Sequence, residues 1–271
     1  MMLKELAQTL DEIAGQAPGQ LTLAIEHLET GELYLSQADE VMYAASVIKV
    51  PIMGAVFDEV HNGRLRLDER IPVQAEDMVT GSGTIQYLSP GLEWPIVDLV
   101  TLMIIESDNT ATNVLMDRVG LATIQSSMKD WGLTSTQLHH KLQIIPARPN
   151  PRKNVITARE LTAYLAKMAR GEIVSYKASR KMLEIMKGQV FNDGIPSLLP
   201  SVDGLVASIP KWEFAHKTGW VTGIAHDVGV LYLQDHSFAV SACAQGFTDR
   251  AGIHRSMGQV GRALYDAVYG S

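Results

Sequence analysis

The chain is poor in cysteine: Cys243 stands alone among 271 residues. That excludes an intramolecular disulfide and a metal site built on paired thiols. Cys243 itself falls in an apolar strand pattern and is expected to be a small buried residue. Long hydrophobic runs are also missing, since nothing approaches the ~20 consecutive apolar residues that cross a bilayer. The N-terminus, Met1-Met2-Leu3-Lys4-Glu5-Leu6, continues into acidic residues without the unbroken apolar core of a signal peptide. The expectation is a soluble chain with no membrane partner, either cytoplasmic or the trimmed mature form of a secreted bacterial protein. Positive charge is in deficit too. With a formal net charge of −7, nothing electrostatic favours nucleic acid or an anionic membrane surface. Internal repeats, low-complexity tracts and long linkers are absent.

What remains is ordinary globular composition, 46% hydrophobic and 20% charged, with enough apolar surface for a large core in one compact unit. Leu3, Leu6, Leu10 and Ile13 recur at helical spacing, and Gly15 ends that amphipathic helix. Two strands follow, Leu21 to Leu28 and Leu33 to Leu35, around the hairpin-turn composition Glu29-Thr30-Gly31-Glu32. From Ser46 to about Gly188 the pattern is helical, with stops at Gly63, Gly120, Gly132 and Gly188 and a start at Pro95. After Pro95, Ile96, Leu99, Val100 and Met103 form one apolar face, so that helix delivers Ser107 at its end to a defined place. Thr157-Ala158-Arg159-Glu160 reads as a capping box for a helix whose apolar face is Leu161, Tyr164, Leu165 and Met168.

Strand signals return at Phe214 to Thr218, Asp227 to Leu233 and Ser237 to Ala244, with a turn at Gln234-Asp235-His236. A last helix carries Ile253, Met257, Val260, Leu264 and Val268 on one face. Strands at both ends and helices between them imply an α/β plus all-α fold. An antiparallel sheet of about five strands, flanked by N- and C-terminal helices, would come from residues 1–40 and 195–271, with residues 41–194 an inserted helical domain.

Ser46-Val47-Ile48-Lys49 sets a hydroxyl and an amine three residues apart, on one face of a helix. Chance supplies roughly one Ser-x-x-Lys in a chain of this length. Ser126-Ser127-Met128-Lys129 is indeed a second copy, and it reads as a solvated pair on a helix that buries Met128. Ser107-Asp108-Asn109 and Lys217-Thr218-Gly219 carry more weight, because each tripeptide has a chance expectation of only a few hundredths per chain, roughly. Read without chemistry, these motifs are a helix terminus, a turn and an edge strand. That leaves their joint occurrence unexplained. Serine is a poor nucleophile, so Ser46 needs a base, and Lys49 serves only when neutral. Desolvation and a second cation both depress a lysine from its usual ~10.4, and Lys217 is the available cation.

Taken together and in this order, the three motifs resemble those of the penicillin-recognising serine enzymes. Their separation of about 60 and 110 residues, and the total length, are most similar to class A β-lactamases. The resemblance runs from the first helix to the last. It implies a β-lactamase/transpeptidase-like fold and a serine hydrolase that forms an acyl-enzyme on Ser46, with Lys49, Ser107 and Lys217 as its catalytic companions. Ser107 would pass a proton to the leaving nitrogen, and Asn109 would position both the substrate amide and Lys49. Lys217 and Thr218 would hold a substrate carboxylate, while Gly219 lets the strand approach the ligand. The backbone N–H groups of Ser46 and Trp220 would form the oxyanion hole, and Asp108 would hold its loop. The implied partner is a small molecule, namely a β-lactam, ester or peptide bearing a carboxylate. No cofactor and no metal are expected.

Class A β-lactamases activate the deacylating water with a glutamate on a loop after the helical domain. Between Trp131 and Arg159 this chain has no aspartate or glutamate. Asp130 ends a helix, Glu160 belongs to the capping box, and Glu106 faces about 100° away from Ser107. The implication is intact acylation of β-lactams with slow deacylation. An esterase or D-amino-acid peptidase of the same fold, deacylating through Lys49, Ser107 or a histidine, is the alternative. A covalent penicillin-binding sensor is another, though it calls for a linker or tether that the sequence does not display. His139 and His140 lack metal-ligand spacing. His216 and His226 are read as structural strand residues that could also line the cleft. Arg250 is either a charge near the substrate carboxylate or an exposed loop residue.

Overall fold

The N-terminal and C-terminal parts of the chain meet in one five-stranded antiparallel sheet. A computed structural model describes residues 2–142, 152–201 and 211–270. Helix α1 (Met2–Gln16) precedes strands β1 (Gln20–His27), β2 (Leu33–Ser36) and β3 (Met42–Tyr43). The middle of the chain holds α2 (Lys49–His61), β4 (Arg70–Val73), β5 (Leu92–Pro95), α3 (Ile96–Ile105), α4 (Asn109–Val119) and α5 (Leu121–Asp130). Then come β6 (Val155–Ile156), α6 (Ala158–Ala169) and α7 (Tyr176–Lys187). The chain closes with β7 (Trp212–Val221), β8 (Ile224–Leu233), β9 (His236–Gln245) and α8 (Arg250–Tyr269).

Strand order across the sheet is β2-β1-β9-β8-β7, which leaves β7 at an edge. Both faces are covered, so inward residues alternate between two cores. Leu21, Leu23 and Ile25 of β1 and Phe238, Val240 and Ala242 of β9 pack with α1 and α8. Ala24, Ala239 and Cys243 face the helices on the other side. The residues on that second face are small, which lets α6 dock closely. Thr162 of α6 donates its hydroxyl to the Ala24 carbonyl at 3.0 Å and lies 2.9 Å from Ser241 Oγ. The expected sheet, its flanking helices and the buried Cys243 are all present. Among the described residues, no helix is long and apolar enough to cross a membrane.

The apolar stripes read from the sequence are buried: Ile96, Leu99, Val100 and Met103 in α3, and Leu161, Tyr164, Leu165 and Met168 in α6. One local expectation fails. Thr157 does cap α6, accepting the Glu160 N–H at 3.3 Å, but Glu160 does not return to the cap. Its carboxylate instead accepts the N–H groups of Thr134, Ser135 and Thr136, because three converging backbone donors outweigh the single one a capping box offers. Burial alone would raise its pKa, yet the Ser135 and Thr136 N–H groups hold it below the usual range.

Candidate active site

Helix α2 is buried nearly all round, from Lys49 through Phe57, so it forms the hub of the helical layer rather than a surface helix. Pro51 fits in its first turn, where an N–H has no helical partner anyway. Ser46 does not open this helix, as the sequence pattern suggested. It lies in the preceding 3-10 turn Ala45–Ile48, which the chain enters through Ala45 at a left-handed φ of 43°. Such backbone is costly for a residue with a Cβ and occurs where the surrounding structure enforces it.

Lys49 is 0% exposed. Its Nζ lies 2.6 Å from the Ser107 carbonyl, 3.0 Å from Ser107 Oγ and 2.9 Å from Asn109 Oδ1. Burial, reinforced by the nearby charge of Lys217 and opposed by Asp108, holds its pKa well below the ordinary lysine range. A neutral amine satisfies the same geometry. Two N–H groups reach the Ser107 and Asn109 oxygens, and the Ser107 hydroxyl donates to the lone pair.

Ser107 occupies the break between α3 and α4 at a φ of 58°. Asp108 caps α4, its carboxylate accepting the Ala111 N–H at 2.8 Å and the Ile85 N–H at 2.9 Å. The second bond ties in the loop from Thr80 to Ile85, whose Ser82 carbonyl accepts the Asn109 N–H at 3.0 Å. Gly83 passes against Asp108 so closely that a Cβ there would overlap it. Asp108 is thus a brace for the loop, in keeping with the role expected of it.

Lys217 lies on edge strand β7, 0% exposed, and its Nζ donates to the Thr218 carbonyl at 2.9 Å. Burial pushes its ammonium down to about 7, against the opposing pull of Asp227. Two residues on, β7 reaches the turn that carries Ser46: a Cβ built on Gly219 would lie 2.8 Å from the Ser46 nitrogen and 2.9 Å from that of Val47. Only a glycine lets the strand come this near. Trp220 follows, 56% exposed, with the Arg250 guanidinium 4.2 Å over its ring centroid. Arg250 also pairs with Asp193 at 3.3 Å, and it does not line the cleft.

These elements enclose a cleft of about 330 Å³ bordered by Ser46, Ser107, Asn109, Thr218, Gly219 and Trp220, with Lys49 and Lys217 buried outside its lining. His216 and His226 are structural. The first is bonded to Asp227 at 2.7 Å and stacked on Phe214. The second donates from Nε2 to the Tyr43 carbonyl at 2.8 Å, and burial lowers it to about 4. His139 faces away from the cleft while His140 lines it, a distinction that adjacent positions in a sequence do not reveal. The His140 Nδ1 donates to the Lys141 carbonyl at 2.8 Å, which leaves Nε2 as the basic nitrogen. Asn154 holds this segment: its Oδ1 accepts the His139 and His140 N–H groups, and its Nδ2 donates to the His140 carbonyl.

Sequence reasoning overlooked Gly81, Ser82, Tyr43, Leu142 and Phe191, which also border the cleft. The run Thr80-Gly81-Ser82-Gly83-Thr84 was the available signal for the first two. No aspartate or glutamate lines the described cleft. Glu106 accepts the Thr84 hydroxyl at 2.7 Å, and Glu160 is committed to its turn. Residues 143–151 lie outside the described residues and contain no carboxylate.

A five-stranded sheet joined to a helical layer, with a serine and a buried lysine where they meet, is the construction of a β-lactamase-like serine hydrolase. The chain belongs to the beta-lactamase enzyme family, whose sequence model matches residues 5–268. Among solved structures it is similar to a beta-lactamase from Sphaerobacter thermophilus, at 28% identity and a TM-score of 0.87 over 98% of this chain and 97% of that one. It is similar to PBP-A at 29% identity, with a TM-score of 0.85 over 99% and 97% of the two chains. A leucine-to-glutamate mutant of PBP-A, solved as an acyl-enzyme complex with penicillin G, matches at 28% identity and a TM-score of 0.84, covering 99% and 98%.

Proposed function

We propose that the chain hydrolyses β-lactams through an acyl-enzyme on Ser46 and releases the acyl group slowly. The observation that carries this reading is the Lys49 amine, buried, depressed in pKa and bonded to Ser107 and Asn109, two residues that line the cleft together with Ser46. Neutral Lys49 takes the Ser46 proton, directly or through Ser107, as Oγ attacks the lactam carbonyl. The N–H groups of Ser46 and Trp220 receive the developing oxyanion, helped by the close approach at Gly219. Ser107 then returns a proton to the leaving nitrogen as the C–N bond breaks. Lys217 and Thr218 take the substrate carboxylate. PBP-A, similar over nearly the whole length, has been seen as an acyl-enzyme with penicillin G in a mutant form, which agrees with β-lactam acylation here.

Deacylation needs a base for water, and His140 is the cleft-lining side chain suited to it. With no carboxylate among the described residues that line the cleft, the acyl-enzyme is expected to accumulate. Small activated esters and peptides bearing a carboxylate fit the same machinery and are the other substrates to screen. The test of acylation is covalent labelling by a fluorescent penicillin, read by intact mass. Ser46→Ala is expected to abolish it, and Lys49→Ala to slow it by at least ~100-fold, the scale of losing a positioned base. Labelling that persists in Ser46→Ala would overturn the assignment.

A further inference from the structure

At the end of the sheet away from Lys217, side chains from two hairpins turn toward one point. His27 closes β1, Glu29 lies in the turn after it and His236 opens β9; one ligand atom of each lies within 4.8 Å of the other two. His27 Nε2 is 2.9 Å from His236 Nδ1 and 3.2 Å from Glu29 Oε2. We propose that His27, Glu29 and His236 form a binding site for a divalent transition-metal ion of the Zn²⁺ type, which clips the β1–β2 hairpin to the β8–β9 hairpin.

Two imidazoles and a carboxylate are a donor set that Zn²⁺ favours. A tetrahedral ion about 2.0–2.1 Å from each atom holds them about 3.3 Å apart, so the two shortest separations need open only slightly. The outer partners of a metal site are in place as well. His27 Nδ1 lies 2.7 Å from Thr30 Oγ1, the kind of second bond that leaves Nε2 free to ligate. Phe238 stacks on the His27 ring at 4.9 Å and fixes its plane. Glu29 Oε2 accepts the Ser237 N–H at 2.9 Å, which orients the carboxylate.

The centre is closed from within and open to water: His27 is 2% exposed, whereas the Glu29 side chain is 42% exposed. An ion can therefore enter and keep a water as its fourth ligand. Without one, the converging lone pairs are separated only by shared protons, and among the described residues Glu29 has His27 as its ion-pair partner.

The two histidines are 209 residues apart, so no spacing in the sequence announces them, and the expectation of no metal rested on spacing. The site also lies far from the chemistry. His27 pairs with Phe238, while Lys217 is in register with Val228, Ser241 and Ala24 across three strand boundaries. A metal here is a structural clip with no step in hydrolysis.

Titration of the metal-stripped full chain with zinc chloride, followed by calorimetry, tests the proposal directly. One ion per chain is expected, with a Tm that rises with free Zn²⁺ and a tetrahedral visible spectrum when Co²⁺ is substituted. Glu29→Gln and His236→Gln sit at hairpin turns and keep the neighbouring backbone. Each is expected to weaken binding by at least ~10–100-fold, while its metal-free Tm and its labelling at Ser46 stay those of the parent. Absence of stoichiometric binding would overturn the site, and so would binding that survives in both variants.

Discussion

Lys217 is the residue whose chemistry and stability pull most strongly against each other. Its folded pKa of about 7 lies below the ~10.4 of an unfolded lysine. Between those values the unfolded chain binds more protons, so stability rises with pH across that window, and the full penalty of a buried charge is felt below about 7. Lys217→Met removes the penalty. It is expected to melt higher than the parent at pH 6, by roughly 2–4 °C for each kcal/mol recovered, and to lose the upward slope toward pH 9; scanning calorimetry across pH checks both. The same titration is expected to limit function if Lys217 binds the substrate carboxylate as proposed. For a substrate with a free carboxylate, kcat/KM is expected to fall as pH rises through about 7, whereas the methyl ester of that substrate shows no such fall. An unchanged profile would separate Lys217 from carboxylate binding.

Gly219 is the second residue with a sharp consequence. Adding a methyl group would place a carbon 2.8 Å from the Ser46 nitrogen, and neither backbone yields cheaply. Gly219→Ala is expected to slow acylation by about 100-fold through displacement of Ser46, with a folded protein as judged by its Tm. Stopped-flow acylation with a chromogenic cephalosporin measures this. Both glycine and lysine stood out in the sequence because Lys217-Thr218-Gly219 is rare by chance. The closeness of β7 to the turn at Ser46 was implied only by the family resemblance, through the oxyanion hole expected of Ser46 and Trp220, because it depends on a contact across more than half the chain.

At the scale of elements, the proposed deacylation rests on the described residues around His140, which Asn154 holds in place. Asn154 binds the His139 and His140 backbone and also accepts the Ala44 N–H through its own carbonyl at 2.9 Å. It couples the His140 segment to the strand just before Ser46. Asn154→Ala leaves partly buried donors unmet and is expected to cost about 1–3 kcal/mol of stability. His140→Ala is expected to slow the release of acyl groups by at least ~10-fold, at the lower end of or below the usual worth of a general base, while labelling proceeds at the parental rate. Glu106→Gln and Glu160→Gln should leave release unchanged, since both carboxylates are held elsewhere.

Helices and sheet strands were legible in the sequence where one face carries a long periodic stripe, as in α3, α6 and α8. The short ribbons β3–β6 and β4–β5 were not. Strands of two to four residues carry no period, and their pairing is decided by what the surrounding elements bring together. The same reason hid the place of Glu160, whose capping-box spacing was correct and whose partners came from a turn more than twenty residues away.

For the whole molecule, the junction of sheet and helical layer sets the outcome. The sheet contributes Lys217, Thr218 and Gly219 from its free edge, the helical layer contributes Lys49, Ser107 and Asn109, and among the described residues no carboxylate lines the cleft between them. On the proposed reading, acylation has its full set of groups and hydrolysis of the ester lacks a carboxylate base. The most direct measurement is rapid-quench intact-mass analysis of the enzyme with excess penicillin, alongside product release in the same samples. The expected result is a burst of about one product per chain, coincident with a penicilloyl adduct on Ser46 that persists through a slow second phase. Linear turnover from the first time point at tens per second, approaching a typical enzyme's rate, with no adduct at Ser46, would contradict it.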